Sequence, residues 1–237
     1  MKVGTWRLLG GQRYSALQAL YWRERVKRLA YPFEFRGEIE QTIRLGDTVL
    51  DVGANVGQYA ALLARLVGPS GRVLGFEPDP YTYRMLVASM RRFGNVEVRP
   101  LALGDFAGSA SIARVLDGDG LPNIGLTHLA TNGEPHAATV SVARLDDIAE
   151  SLGVGSCSFV KIDVEGSELR VLGGAQEFLA RFRPLLLIEL DDAMSARYGA
   201  SPTGVISFLR RLGYSLWKSH PPESRGGSAL FRITQSR

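Results

Sequence analysis

Four acidic residues close four short apolar runs in this chain, and their placement is the first chemical signal. Asp51 lies at the carboxyl end of Thr48–Val52, Glu77 directly follows Arg72–Phe76, Asp105 follows the run at 96–99 by way of Leu101-Ala-Leu-Gly, and Asp163 directly follows Phe159–Ile162. Runs of that length and β-branched content read as buried strands of a parallel sheet. In such sheets ligands bind in the crevice beyond the strands' carboxyl ends. Acids gathered there can accept hydrogen bonds from ribose hydroxyls, from an exocyclic amine or from an ammonium group. Glu77 comes roughly 20 residues after Gly57, the interval of a ribose-binding acid. Pro78 and Asp79 extend the same corner.

The first strand runs into Gly53-Ala-Asn-Val-Gly57, and a helical pattern begins at once, with Tyr59, Leu62, Leu63 and Leu66 on one face. A turn that leaves a strand and enters a helix needs φ values, or a closeness of approach, that a Cβ would block. Gly53, Asn55 and Gly57 are therefore candidate cofactor contacts. A phosphate-binding loop needs Gly-Lys-Ser/Thr, but Gly57 is followed by Gln58 and Tyr59. A dinucleotide fingerprint needs a middle glycine, and that position is Asn55. Asp51 would also repel a pyrophosphate. It suits a cofactor that carries an ammonium group, as S-adenosylmethionine does beside its sulfonium.

The densest stretch is Phe159-Val-Lys-Ile-Asp-Val-Glu-Gly-Ser-Glu168, where Lys161, Asp163, Glu165 and Glu168 crowd one strand end and the turn after it. If a methyl group is transferred to an alcohol, a base should take the hydroxyl proton. Candidates are Asp163, His128, Glu165 and Glu189. Asp163 is chosen for its place at the sheet edge, and His128 because an imidazole titrates near neutrality. A magnesium ion on Asp163 with Glu189 or Asp191 is the minority route, and no metal site is expected.

The segments VLDVGANVGQYA, GFEPDP, LALGD, RLDDI and VKIDVEGSELRVLGGA, in that order, resemble the FkbM family of S-adenosylmethionine-dependent methyltransferases. The likeness runs from about Leu45 to Leu190. It implies a class I methyltransferase fold: a Rossmann-like, seven-stranded, mostly parallel sheet with helices on both faces and an antiparallel last strand. It also implies transfer of methyl to a hydroxyl oxygen of a sugar or natural-product scaffold. By motif position Asp51, Gly53, Asn55 and Gly57 match the first cofactor motif, Glu77 the ribose acid, Asp105 the adenine-side acid and Asp163 the acid near the methyl.

The surrounding elements must hold these groups. Five alternating strand–helix units, with strand five at 184–190, are followed by two strands near 214–218 and 229–234 with no helix between them, which favours antiparallel pairing. Gly108–Ala113 is an expected extra strand, paired with Ala138 to Val142 across the polar loop at 116–135, which holds Asn123 and His128. Residues 1–37 form an aromatic and basic helical arm or lid, and residues 38–237 the methyltransferase domain. In the arm, Tyr14, Leu17 and Tyr21 share one helix face and Trp22, Val26 and Leu29 another. Lid, dimer contact and peripheral membrane contact are its candidate roles, the lid being preferred.

With 237 residues, 45% of them hydrophobic, the chain reads as one soluble α/β domain with an added arm. A net charge of +4 is small for a nucleic-acid partner, and His220-Pro-Pro-Glu223 does not match a base-flipping methylase motif. The single Cys157 excludes an intramolecular disulfide. No apolar span reaches the roughly 20 residues of a membrane helix. The expected partner is a small-molecule or glycan acceptor with a free hydroxyl, a homodimer is left open, and the expected location is cytoplasmic. A nicotinamide-dependent oxidoreductase and a non-catalytic scaffold that keeps the fold are the rival readings.

Overall fold

The computed structural model describes residues 11–29, 31–116, 123–131, 133–220 and 227–234, with side chains from residue 17 onward. An N-terminal helix α1 (Gly11–Lys27) and a short α2 (Arg36–Thr42) precede the sheet. Then come β1 (Thr48–Val52), α3 (Gln58–Val67), β2 (Arg72–Phe76), α4 (Pro80–Met90) and β3 (Val96–Arg99). Four small strands follow: β4 (Ala102–Leu103), β5 (Gly108–Ala113), β6 (His128–Leu129) and β7 (Ala138–Ala143). The main sheet resumes after α5 (Leu145–Ile148) with β8 (Phe159–Ile162), α6 (Glu168–Gly173), α7 (Gln176–Phe182) and β9 (Leu185–Leu190). The last elements are α8 (Asp192–Ala196), α9 (Pro202–Arg211), β10 (Tyr214–Ser219) and β11 (Gly227–Ile233).

The seven-stranded sheet has the order β10-β11-β9-β8-β1-β2-β3. Strands β3, β2, β1, β8 and β9 run parallel, and β11 enters antiparallel between β9 and β10. This is the class I methyltransferase arrangement expected from the sequence. Because β-strand side chains alternate between faces, Val49 and Leu50 feed two separate cores. One core holds Val49 with Ala60, Leu63, Leu86 and Ile39 of the helices α2–α4, while the other holds Leu50 with Val171, Phe178 and Leu209 of α6, α7 and α9. The run Leu185 to Ile188 is buried on both faces, which explains its continuous apolar sequence.

β5 pairs antiparallel with β7, as expected, in a second four-stranded sheet of order β4-β7-β5-β6. Strands β4 and β6 were not expected. Each is two residues long, too short to show a period. The single helix expected after Asp163 is two helices, α6 and α7, divided at Gly174. There a Cβ would lie 1.8 Å from the carbonyl oxygen of Gly104, so glycine lets the junction of α6 and α7 sit against the chain just after β4.

Helix α1 packs on α4 and α3. Val26 is buried and Trp22 and Leu29 pack beside it, whereas Leu17 and Tyr21 are exposed. The Tyr81 hydroxyl donates to Gln18 Oε1, and Arg65 Nη2 donates to the Lys27 carbonyl. The side chain of Tyr14 lies outside the described residues. No helix among the described residues is long and apolar enough to cross a membrane.

Candidate active site

The sheet register builds the site. Val52 is level with Phe76 on one side and with Ile162 on the other, and Ile162 is level with Ile188. One residue further on, Gly53, Glu77, Asp163 and Glu189 therefore stand side by side at the carboxyl edge. All four line a cavity of about 600 Å³, within the usual range for a small-molecule site. One rung below, Asp51 is level with Lys161.

The glycine turn is fixed by contact rather than by flexibility. Gly53 has φ +74, and a Cβ on it would lie 1.7 Å from the backbone oxygen of Asp163. The turn and the end of β8 thus touch backbone to backbone. At Gly57, with φ +92, a Cβ would meet Met90 and Leu86 of α4. Asn55 also has positive φ, at +50, a conformation that asparagine tolerates better than most residues. Its Nδ2 donates to the carbonyl of Ile124 at 3.0 Å, tying the turn to the loop that carries Asn123 and His128.

Glu77 is buried, and each of its oxygens accepts one backbone N–H, from Asn55 at 3.0 Å and from Asp79 at 2.9 Å. A carboxylate oxygen has room for a second donor, so both remain able to receive a ribose hydroxyl. Burial pushes its pKa up to about 7. Asp51 is fully buried, and neither of its oxygens has a hydrogen-bond partner among the described residues. Burial raises its pKa, and the Lys161 ammonium, 3.5 Å away, opposes the rise.

Lys161 is the residue that sequence reasoning passed over. It is 5% exposed, and its Nζ donates to the Gly53 carbonyl at 2.9 Å while lying 3.0 Å from Asp163 Oδ2. Burial works against its charge, but Asp163 and Asp51 more than offset that cost and raise its pKa. Its signal in the sequence was a lysine inside an otherwise apolar strand, a placement that demands partners. Asp163 also bears the cost of burial, yet Lys161 and a hydrogen bond from Glu189 hold its carboxyl below the ordinary range. Glu189 carries the proton of that pair: burial and the neighbouring Asp163 charge push it up to about 10.

Carboxylate oxygens of Asp163, Glu165 and Glu189 lie within 4.8 Å of one another. Three converging carboxylates resemble a divalent-cation donor set. Lys161 Nζ, 3.0 Å from Asp163 Oδ2, already places a positive charge beside this group.

Other predicted residues are placed differently. Pro78 lines the cavity, but Asp79 does not. Asp79 is a buried helix cap: its oxygens accept from Tyr81 N, Thr82 N and Thr82 Oγ1, and it pairs with Arg114. Its capacity is spent on α4. Asp105 is exposed and lies outside the cavity lining, where Leu101, Ala102 and Leu103 form the wall instead. A site acid and a solvated turn acid look alike in sequence there.

His128 reaches the cavity wall but is not free to act as a base. It is buried, with Nδ1 3.0 Å from the Leu126 carbonyl and Nε2 3.0 Å from Glu134 Oε1. The ring is thus held between the Leu126 carbonyl, the Glu134 carboxylate and Arg197 Nη1, which lies 3.2 Å from Nδ1 and 2.9 Å from Nε2. The Thr131 backbone N–H, with help from His128, holds Glu134 down to about 2. This cluster fixes the loop to the segment after α8.

The sequence profile of the Methyltransferase FkbM domain matches residues 51–216. This chain belongs to the FkbM methyltransferase family. Among curated relatives, the 31-O-demethyl-FK506 methyltransferase FkbM of Streptomyces tacrolimicus is 32% identical over 211 residues, covering 76% of this chain and 77% of that protein. The hexuronic acid methyltransferase AglP of Haloferax volcanii is 31% identical over 181 residues, covering 73% and 71%. A far longer relative, the AMB antimetabolite synthetase AmbE of Pseudomonas aeruginosa, is 27% identical over 71% of this chain, which spans 9% of its length. The crystal structure of methyltransferase FkbM from Methylobacillus flagellatus superposes with a TM-score of 0.55 at 20% identity, covering 92% of this chain and 54% of that one, a likeness of fold. The cofactor of this family fits the residues present: hydroxyl acceptors on Glu77, a close backbone approach at Gly53 and an anionic pole at Asp163.

Proposed function

We propose that this FkbM-family domain transfers the methyl group of S-adenosylmethionine to a hydroxyl oxygen of a sugar or natural-product acceptor. The observation that carries the reading is the level row of Gly53, Glu77, Asp163 and Glu189 on one cavity. Sheet order then gives the site a direction. On that order Leu101 and Leu103 would hold the adenine of a bound cofactor, Glu77 its ribose hydroxyls, the turn at Gly53–Asn55 its amino-acid portion and Asp163 its methyl-bearing end.

When bound, the cofactor supplies an electrophilic methyl on a sulfonium, so the donor needs no further activation. The protein's work is alignment, and much of the rate comes from it. Lys161, 3.0 Å from Asp163 Oδ2, favours the ionised carboxylate, which would face the positive end of a bound cofactor. Tyr31 and Tyr59, in edge contact with each other, and Trp22 also line the cavity, and aromatic rings are surfaces on which the face of a sugar ring can rest. Gln18 and Trp22 bring α1 to the cavity, which supports reading residues 1–37 as an arm over the acceptor. Relatives named for 31-O-demethyl-FK506 and for a hexuronic acid are in keeping with a hydroxylated acceptor.

Titration calorimetry with S-adenosylmethionine, with NADH as control, tests this. We expect micromolar binding of the first and none of the second. Binding of NADH alone, or of neither, would overturn the cofactor assignment.

A further inference from the structure

Resting on the methyl-transfer reading, we propose that Glu165 is the catalytic base that takes the acceptor's hydroxyl proton. Four side chains reach the reacting end with a proton acceptor, and three are engaged. Both nitrogens of His128 are taken, Asp163 is bound to Lys161, and Glu189 holds its proton against Asp163. Glu165 lines the same cavity, and no side chain or backbone group among the described residues donates to its carboxylate.

The turn that presents it is built with unusual constraint. Glu165 has φ +55, left-handed backbone that a glutamate rarely adopts and that persists only when its surroundings impose it. The surroundings are visible. Buried Glu168 accepts from Val164 N at 3.2 Å and from Gly166 N at 3.0 Å, clamping the residues on both sides of Glu165. Gly166, with φ +103, packs so closely under α8 that a Cβ would lie 2.3 Å from the Met194 carbonyl oxygen. A strained, doubly clamped turn that ends in an unpartnered carboxylate in a cavity aims one functional group.

The surrounding charges suit proton abstraction. Asp163 and Glu168 of its own turn and Asp191 at the end of β9 raise its proton affinity, and Lys161 of β8 lowers it. Burial is the largest influence, and together they bring the carboxyl to about 8, close to the optimum for a base at neutral pH. In the step, the hydroxyl proton moves to a Glu165 oxygen, and its electron pair stays on the acceptor oxygen as the oxygen–carbon bond forms. The carbon–sulfur pair leaves with sulfur, which becomes a neutral thioether. The protonated Glu165 returns its proton to water.

The test compares wild type, Glu165→Gln and Glu165→Asp. Calorimetry with S-adenosylmethionine comes first: comparable affinity in all three shows the cofactor site intact, whereas no binding to wild type defeats the methyl-transfer reading itself. Next, ¹³C-carboxyl NMR of glutamate-labelled protein with S-adenosylhomocysteine should show one resonance, absent in Glu165→Gln, that titrates well above the ordinary glutamate range. Titration at the ordinary value overturns the proposal. Finally, labelled methyl transfer to 31-O-demethyl-FK506 and to a methyl hexuronate is followed against pH. We expect kcat of any acceptor used to rise through about pH 8 in wild type, to fall about 100-fold or more in Glu165→Gln, and to recover in part in Glu165→Asp. Unchanged kcat in Glu165→Gln, or activity lost to EDTA and restored by magnesium only in wild type, refutes the base role. If neither acceptor is methylated, the NMR titration decides.

Discussion

Replacing Lys161 by methionine keeps the length of the side chain and removes its charge. Four contacts vanish: the hydrogen bond to Gly53 O at 2.9 Å, the ion pairs with Asp163 at 3.0 Å and Asp51 at 3.5 Å, and the approach of the ammonium to the Tyr59 ring at 5.3 Å. Asp163 is partly open to water and can be resolvated. Asp51 is fully buried and has no other ion-pair partner among the described residues. Removing one member of a buried pair costs about 3–5 kcal/mol, because it strands the other charge. Asp51 has an escape, since its pKa is already raised and it can take up a proton. We therefore expect the lower end, about 3 kcal/mol at pH 8. The sign with pH follows: as pH falls, stranded Asp51 becomes neutral and the penalty shrinks. Urea denaturation of both proteins at about pH 8 and pH 5.5, read as a change in midpoint at constant slope, measures it. The double variant with Asp51→Asn should recover much of the loss at pH 8. A penalty under about 1 kcal/mol, or one that does not change with pH, would mean that Lys161 does not hold the turn by charge.

Glu77→Gln and Asp79→Asn should separate cleanly: the first lowers affinity for S-adenosylmethionine by at least about tenfold, and the second leaves affinity nearly unchanged but lowers the melting temperature through loss of a helix cap and the Arg114 pair. Because the Glu77 carboxyl is held up to about 7 and its ionised form is the better acceptor, cofactor affinity should rise about tenfold between pH 6 and 8, a dependence that calorimetry would show to be missing in Glu77→Gln. Gly53→Ala and Gly133→Ala both place a Cβ at positive φ, but only the first meets an atom within 4 Å; chemical denaturation should show a loss of about 1 kcal/mol for Gly133→Ala and several times that for Gly53→Ala. Asp105→Ala should leave cofactor binding untouched by calorimetry, and a tenfold loss would restore it to the site.

The sheet was readable because its signals are local. A five-residue apolar run, a glycine turn and a helix face each announce themselves, and five repeats of that unit leave little choice of topology. The acids at 77 and 163 were readable for the same reason, since the position just after a buried strand lies at the ligand edge. Asp79 and Asp105 occupy similar-looking positions, and what separates them from Glu77 is not local. Asp79 is claimed by Arg114, which arrives from the end of β5, and Asp105 stands outside because β4 turns into the second sheet. His128 was judged as a loop histidine, and only the fold brings Arg197 and Glu134 onto its ring. Lys161 was seen but given no role, because two of its partners lie 108 and 110 positions away, at Gly53 and Asp51, and only Asp163 is near in sequence.

The placement of β11 also governs how the domain is made. Residues 227–231 pair with 190–186 and so sit beside β9, inside the sheet rather than at its rim. Strand β10, synthesised earlier, lies further out and touches β9 only by way of β11. On a ribosome, then, the strand carrying Glu189 waits with one edge unpaired through the making of α8, α9 and β10. β10 itself has no partner until the next strand emerges. A nascent fragment that stops short of residue 227 leaves this edge of β9 without its partner strand, the kind of open edge that invites wrong pairing.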